Sequence, residues 1–335
     1  MKKIAMRAMR GCGVFSLARV VSGRMPRILM YHNFSGPGAN DQDALNTEGI
    51  RLQFGYLRQH FLVVPLLQLV EELTSGREPQ KYSVALTIDD GRRNCYENLF
   101  PLLKEFELPA TFFVVSAFIR GDDWIWTDKV LWLSEMPNCP EPLKTSQLSA
   151  TFPSLNRMRP AERNARIEAF AEQAGVLIPR TAPAKYSPCS WSELREMADS
   201  GLMEIGSHTV THPILASLTD EESWRELTES RRQIEAGVGR EVRCFCFPNG
   251  LAGDYRESQV RQVEKAGYLC ATAAHTDLVS ERADRFALPR IGAARKSSLV
   301  EFSKHLDGIA RYQQKLQSWL RLQSPENISR SERNG

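Results

Sequence analysis

The chain has 335 residues, of which 42% are hydrophobic and 25% charged, and its net charge is +3. This composition is typical of a soluble globular protein with a large core, and the length fits one large α/β domain or two ordinary domains. Beyond the N-terminus there is no basic stripe with interleaved aromatic residues, which argues against a nucleic-acid partner. Seven cysteines without a CxxC pair indicate no disulfide framework and favour a reducing compartment.

The first 40 residues are strongly basic, because they contain seven lysines and arginines and no acidic residue. Their apolar stretch, GCGVFSLARVV, is interrupted by Arg19 and is shorter than the roughly 20 apolar residues that span a bilayer. No convincing signal-peptide cleavage site follows it. Two interpretations of residues 1–26 stay open: an amphipathic segment on an anionic membrane surface, or a helix packed on the domain with its arginines in solvent. A cytoplasmic location, or a peripheral one at the inner membrane, is favoured.

From residue 27 onward, apolar strands alternate with amphipathic helices. The pattern predicts strands over 27–34, 61–66, 84–90 and 109–115, and helices over 50–60, 66–76 and 94–108. Strands and helices that alternate at this rhythm form βα units with a mainly parallel sheet.

Residues 120–188 interrupt this alternation with three tryptophans, several prolines and a polar helical patch, and are predicted to be an insertion that forms a small helical lid. Alternation then resumes, with strands over 203–208, 242–250, 268–274 and 285–292 and helices over 190–201, 220–239, 255–267 and 298–322. About seven βα units that close on themselves predict a distorted (β/α)7-8 barrel over 27–310. Residues 311–335 are predicted to be the end of the last helix and a disordered tail.

The strand VALTI runs directly into two acids and a glycine, Asp89-Asp90-Gly91. Neighbouring carboxylates repel each other unless a cation lies between them or one of them carries a proton. A solvated acidic turn is the simpler interpretation of this segment taken alone.

The segment SHTVTHP holds two of the six histidines, His208 and His212, just after another predicted strand. Imidazoles four residues apart in a tight loop can face one metal ion, although turn histidines bonded to the backbone are the alternative. Two histidines and one carboxylate form a common catalytic zinc set with an open position for water. One acid of the pair would then be a ligand, and the other would be free to act as a general base.

The segments TIDDG, SHTVTHP and FCFPNG resemble the first three signature motifs of polysaccharide deacetylases, the NodB-homology group or carbohydrate esterase family 4. The segments ILMYH and LPRIG are similar to features of the bacterial exopolysaccharide-associated members. The resemblance spans Arg27 to Leu306. It implies a distorted barrel with a divalent metal, usually zinc, at the carboxyl ends of the strands, and a substrate that is an acetylated amino-sugar glycan or glycolipid.

By motif position, the resemblance implies that Asp89 is the general base that activates a metal-bound water. Asp90, His208 and His212 would be the metal ligands. A backbone N–H near Asn249 would help to stabilise the oxyanion as the N-acetyl group is hydrolysed.

Two departures from the family pattern concern proton handling. Cys246 stands where many members carry an arginine that orients the base, and Arg290 could supply that charge, with a loop salt bridge as the alternative. The usual histidine of the closing motif is not matched. His32, at the end of the first strand, is the preferred general acid, while His275 and His305 are weaker candidates.

Trp126 and Trp124 could stack on sugar rings, or bury the insertion against the barrel. The leading hypothesis is a metal-dependent N-deacetylase of an N-acetylglucosamine-type glycan. A hydrolase of the same fold acting on an O-acetyl ester, another amide or a lipid-linked sugar is the alternative, and a non-catalytic carbohydrate-binding relative is a third hypothesis.

Overall fold

The computed structural model describes residues 2–37, 44–293 and 299–313. Its strands, in chain order, are β1 (Arg27–Tyr31), β2 (Phe34–Ser35), β3 (Leu45–Asn46), β4 (Leu62–Val63), β5 (Ser83–Ile88), β6 (Ala110–Val114), β7 (Met203–Ser207), β8 (Cys244–Cys246), β9 (Cys270–Thr272) and β10 (Ile291–Gly292). All of these except β2 and β3 belong to one sheet.

The main sheet has the order β10-β1-β5-β6-β7-β8-β9, and every neighbouring pair is parallel. β1 runs along the whole of one edge of β5, from Arg27 opposite Val84 to Tyr31 opposite Ile88. β4 and β6 pair with β5 near its start and its end. All six residues of β5 are buried, as expected for a strand of a parallel sheet with both faces covered.

The segment 288–292 links β9 to β1 and thereby closes the sheet. Leu288 bridges to Thr272 of β9, and three residues later Ile291 pairs with Leu29 of β1. The predicted distorted barrel is therefore confirmed. The strand predicted over 285–292 shortens to Ile291–Gly292, because the segment changes its pairing partner midway.

The α-helices are α1 (Lys2–Gly11), α2 (Val14–Val21), α3 (Thr47–His60), α4 (Leu66–Thr74), α5 (Phe100–Phe106), α6 (Ser116–Arg120), α7 (Trp126–Ser134), α8 (Leu148–Asn156), α9 (Pro160–Ala174), α10 (Trp191–Asp199), α11 (Asp220–Val238), α12 (Glu257–Lys265) and α13 (Leu299–Leu306). The helix predicted over 94–108 is instead a π-helical turn, Cys95–Leu99, followed by α5. Pro101 lies in the first turn of α5, where its missing N–H interrupts the helical hydrogen-bond ladder.

The predicted insertion contains α7, α8 and α9, which share an apolar cluster of their own. A short 3₁₀ turn at Glu141–Leu143 lies between α7 and α8, and another at Ala184–Tyr186 follows α9. The first turn of α7 faces the barrel rather than solvent, because both Trp126 and Asp128 are buried.

The N-terminal helices pack against α13 at the end of the barrel where β1 begins. Met6, Phe15 and Ala18 form a small apolar cluster with Ile309. Arg19 is not in solvent, since its Nη1 lies 3.1 Å from an Asp307 carboxylate oxygen.

The helix predicted over 298–322 is interrupted after Leu306 by a turn at Gly308, which has a φ of 86°. The part of this helix beyond 313 and the predicted disordered tail lie outside the described residues. Within 2–37, 44–293 and 299–313, no helix has the length and apolar character needed to cross a bilayer.

Candidate active site

The two acids at the end of β5 are separated by a tight turn. Asp90 and Gly91 both have positive φ angles, 83° and 94°. A Cβ atom at Gly91 would lie 2.9 Å from Ile119 Cδ1 and 3.2 Å from Val114 Cβ, so only glycine fits. This turn gives the adjacent carboxylates different surroundings: Asp89 contacts Arg290, whereas Asp90 faces two histidines.

Asp90, His208 and His212 form one compact, buried group of potential metal ligands. Asp90 Oδ1 lies 3.8 Å from His208 Nε2 and 3.7 Å from His212 Nε2. These separations are too long for hydrogen bonds. They are close to the roughly 3.4 Å between two ligand atoms that each lie about 2.1 Å from a tetrahedral ion. The group therefore fits a single divalent cation.

The histidine loop after β7 holds both imidazoles in orientations suited to metal binding. His208 Nδ1 lies 2.7 Å from the Cys246 carbonyl oxygen, and donation to it leaves Nε2 free to face Asp90. Thr209 and His212 have positive φ angles of 71° and 55°, and Thr209 Oγ1 accepts a hydrogen bond from the His212 N–H. Burial and the neighbouring His208 lower the pKa of His212 to about 3, so that imidazole is neutral, as a ligand must be.

Asp89 is held by a bidentate ion pair with Arg290. Both guanidinium nitrogens Nη1 and Nη2 lie 2.7 Å from a carboxylate oxygen. Arg290 is itself fixed by the Ala273 carbonyl and the Thr87 hydroxyl, each 3.0 Å away. Burial alone would raise the pKa of Asp89, but the Arg290 charge holds that pKa below its ordinary value. Asp89 is therefore ionised at neutral pH and able to accept a proton.

Cys246 lies beside this ion pair, 3.0 Å from Arg290 Nη2 and 3.7 Å from Asp89 Oδ2. Asp89, His208 and Cys246 form a second cluster of potential ligand atoms. A cation is disfavoured in this cluster because Arg290 occupies both Asp89 oxygens. Burial also raises the pKa of the Cys246 thiol, so it keeps its proton. The Asp90 group is the better cation site.

Arg92 and Asp128 were not anticipated as site residues. Arg92 Nη2 lies 3.1 Å from Asp90 Oδ2, and Arg92 also forms a bidentate pair with Asp128 on α7. Arg92 thus contacts Oδ2 of Asp90, whereas Oδ1 faces the two histidines. Arg92 lies two positions after Asp90, but nothing in the sequence links it to an acid 36 positions later.

Of the candidate acids, His32 is next to the site. Its Nε2 lies 3.6 Å from Asp89 Oδ2, and its side chain is 32% exposed. His275 Nε2 is hydrogen-bonded to the Tyr255 hydroxyl instead. His305 lies in α13, which packs against α1, α2 and α3 rather than beside Asp89.

The two residues predicted to contact substrate, Asn249 and Trp126, lie in different surroundings. Asn249 lies on the loop after β8 with a φ of 57°, and its side-chain amide donates to Asp254 at 2.5 Å. Trp126 does not offer its ring to a sugar, because it is only 4% exposed and the Arg163 guanidinium lies 4.5 Å from its ring centre. Its indole N–H donates to the His212 carbonyl at 3.0 Å, so Trp126 packs behind the metal loop.

Comparison with known proteins agrees with this geometry. The profile of the polysaccharide deacetylase family matches residues 76–271, more than half of the chain. The chain belongs to the polysaccharide deacetylase family. This match includes the acid pair, the histidine loop and the Cys246 strand.

Similar proteins include enzymes named for glycan deacetylation. The poly-beta-1,6-N-acetyl-D-glucosamine N-deacetylase of Escherichia coli K12 is 22% identical over 304 residues, covering 83% of this chain and 38% of that protein. The chain thus spans well under half the length of that relative.

Two solved structures share the fold. IcaB from Ammonifex degensii has a TM-score of 0.58 at 18% identity, covering 84% of this chain and 98% of its own. The de-N-acetylase from Aggregatibacter actinomycetemcomitans also has a TM-score of 0.58, at 16% identity, covering 84% of this chain and 99% of its own.

Proposed function

We propose that this protein is a metal-dependent hydrolase that removes N-acetyl groups from an N-acetylglucosamine-type glycan. The main support for the proposal is that the two neighbouring acids have different surroundings and can therefore have different roles. Asp90 shares a cation-sized space with His208 and His212, while Asp89 stays ionised beside it, clamped by Arg290. A non-catalytic carbohydrate-binding relative would have no use for this arrangement.

In the proposed reaction, water attacks the acetamide carbonyl carbon and the C–N bond breaks, which releases acetate and a free amine. Asp89 accepts a proton from the attacking water, and Arg290 keeps its carboxylate oriented toward that water. His32 donates a proton to the departing amine nitrogen, since its Nε2 lies 3.6 Å from Asp89 Oδ2 and its side chain is partly open to solvent. A backbone N–H near Asn249 would donate to the carbonyl oxygen as negative charge develops there.

Asp90, His208 and His212 would hold the cation. When bound, a divalent cation supplies Lewis-acid polarisation of the carbonyl and lowers the pKa of water. Two imidazoles and one carboxylate are a set that zinc favours, so we propose zinc as the metal.

The substrate we propose is a polymer of β-1,6-linked N-acetylglucosamine. This proposal is supported by the name of the Escherichia coli relative, whose similarity covers 83% of this chain. A panel of N-acetylglucosamine oligomers, O-acetylated sugars and lipid-linked sugars, all assayed for released acetate, would separate this substrate from the alternatives.

The decisive experiment compares wild type with Asp89→Asn and His208→Ala after chelation and reloading with Zn²⁺. We expect wild type to release acetate, and Asp89→Asn to bind Zn²⁺ but lose about 10²–10⁴-fold in kcat. His208→Ala should lose both zinc and activity. Retained turnover in Asp89→Asn would contradict the assigned base, and wild type that binds no divalent cation would contradict the proposed function.

We also propose that α2 contacts an anionic bilayer. Its inner face, Phe15 and Ala18, packs on the domain, whereas Leu17 and Val21 are 65% and 66% exposed. The acid-free, basic composition of the first 40 residues complements anionic lipid headgroups. An exposed apolar face beside basic residues is what interfacial helices use.

Flotation with vesicles tests this contact. Wild type should float with phosphatidylglycerol-containing vesicles and not with pure phosphatidylcholine, and Leu17→Glu should abolish flotation. Leu177→Glu is the matched control, because Leu177 is 93% exposed on the insertion. If wild type and Leu17→Glu partition equally, the membrane contact is refuted.

A further inference from the structure

The first turn of α7 lies outside the barrel strands, yet it reaches both chain segments that carry the candidate metal ligands. It begins at Trp126, and both Trp126 and Asp128 are buried. Sequence alone predicts a role for this turn in sugar stacking or in burying the insertion. The contacts of these two side chains indicate a different role.

The first contact is to the histidine loop. Trp126 Nε1 donates a 3.0 Å hydrogen bond to the carbonyl oxygen of His212. His212 has a φ of 55°, a conformation that costs free energy for a residue with a Cβ and persists only when neighbours hold it. The indole therefore helps to hold the second imidazole at Asp90.

The second contact is to the acid pair. Asp128 pairs with Arg92, and the same guanidinium lies 3.1 Å from Asp90 Oδ2. Because Asp128 balances most of the Arg92 charge, Arg92 can fix Asp90 without strongly repelling a cation on the other carboxylate oxygen. All three residues are buried, so their mutual attraction is little screened by solvent.

A third contact is made by Arg163, which lies over the ring of Trp126. The Arg163 guanidinium of α9 lies 4.5 Å from the centre of the Trp126 ring. Arg163 is 3% exposed, and its Nε and Nη1 have no hydrogen-bond acceptor among the described residues. Glu226 attracts this charge, and its carboxylate accepts hydrogen bonds from the Val210 and Thr211 N–H groups of the histidine loop.

We propose that the α7 turn is a positioning element for the cation site, in which Trp126 fixes the His212 loop and Asp128, through Arg92, fixes Asp90. The inference rests on the cation site of the proposed function. It assigns to the insertion the task of holding ligands. Trp126 and Asp128 are positioning residues, because neither belongs to the group of potential ligands formed by Asp90, His208 and His212.

The test measures Zn²⁺ affinity by competition with a chromophoric chelator, on full-length protein that elutes as a folded species. Trp126→Phe keeps a ring but removes the N–H, and we expect its Zn²⁺ Kd to rise about 10–100-fold. Trp124→Phe is the matched control. Trp124 is equally buried in the same insertion, but its N–H donates to the Pro179 carbonyl, so its Kd should be unchanged.

A second variant covers the case in which Trp126→Phe does not fold. Asp128→Asn leaves the Arg92 charge uncompensated beside Asp90, and its Kd should also rise at least 10-fold. Asp123→Asn is its control, because Asp123 is 57% exposed and pairs with Lys129 of α7 rather than with Arg92. The Co²⁺-loaded variants should show altered visible absorption, which a general loss of stability would not produce.

The outcomes separate this inference from the proposed function. If wild type binds Zn²⁺ and releases acetate but Trp126→Phe and Asp128→Asn bind it as tightly as their controls, the positioning role is refuted and the function stands. If wild type binds no divalent cation, the proposed function itself fails, and the positioning role fails with it.

Discussion

The two ends of the barrel each bury an arginine completely, and the two arginines have different partners. Arg27 begins β1 and is 0% exposed, while Arg290 precedes β10 and is 1% exposed. Arg27 Nε donates to the Leu306 carbonyl at 3.0 Å, and its Nη atoms donate to the carbonyl and the hydroxyl of Ser22 at 2.9 and 2.7 Å. Arg290 instead forms a bidentate pair with the carboxylate of Asp89.

The charge states of these arginines follow from their partners. Burial lowers the pKa of Arg27 to about 10, because its hydrogen-bond partners are mostly neutral. Burial would also lower the pKa of Arg290, but the Asp89 carboxylate raises it above its ordinary value. A buried arginine is therefore by itself no sign of a catalytic centre. Arg27 joins β1 to the terminal helices, and Arg290 holds the proposed base.

The largest expected effect in this comparison is that of Arg290→Lys on turnover. Lysine keeps the positive charge but loses the planar fork that holds both Asp89 oxygens. We expect kcat to fall about 10²–10³-fold, comparable to the loss of one preorganised donor in an active site. Steady-state acetate release measures this, with Zn²⁺ content as the control for an intact cation site. Unchanged kcat in a folded, zinc-loaded Arg290→Lys protein would refute the positioning of Asp89.

Arg27→Lys is the matched change at the other end. It should leave kcat unchanged and lower the free energy of unfolding by about 1–3 kcal/mol, because buried carbonyl groups lose their donors. Urea unfolding of both lysine variants measures this. A drop in kcat for folded Arg27→Lys would show that the two ends are not independent.

The His32→Gln variant tests whether His32, which lies beside Asp89, takes part in proton transfer or only in packing. If His32 is the general acid, kcat should fall about 10²-fold while Zn²⁺ affinity is unchanged. The pH profile of kcat should also lose the limb that reports protonation of this group. If the variant keeps both its kcat and its pH profile, His32 is not the general acid and another residue has that role.

The smallest expected effect is the pH dependence of stability in metal-free protein. The folded pKa of His212, about 3, lies below its unfolded value near 6.5, so its contribution to stability is lost as pH falls below about 6.5. Burial raises the pKa of Asp128 to about 6, so it takes up a proton in the folded state first and adds stability as pH falls from about 6 to 4.

These two titrations oppose each other, so each offsets part of the other's effect on stability between pH 6 and 4. Asp128→Asn removes one of the two, so its stability should fall more steeply than that of wild type as the pH is lowered. The free energy of unfolding should then fall by up to about 1.4 kcal/mol per pH unit. Urea melts of metal-free protein at pH 6.5, 5.5 and 4.5 compare the slopes. Equal slopes in the two proteins would contradict the opposed titrations.

Local patterns in the sequence were sufficient to predict most of the strands and helices and the segments that carry the ligands. The alternation of strands and helices predicted a barrel, and the segments around Asp89 and His208 predicted a cation site, because short spacings bring ligands together and strand ends share one edge of a parallel sheet.

The contacts that complete the site from distant parts of the chain depend on tertiary packing. Arg290 reaches Asp89 across 201 positions because its segment closes the barrel between β9 and β1. Trp126 and Asp128 reach the ligand segments because α7 packs its first turn against them. Such contacts depend on how separate elements pack, and a residue's own neighbours in sequence carry no signal of that packing.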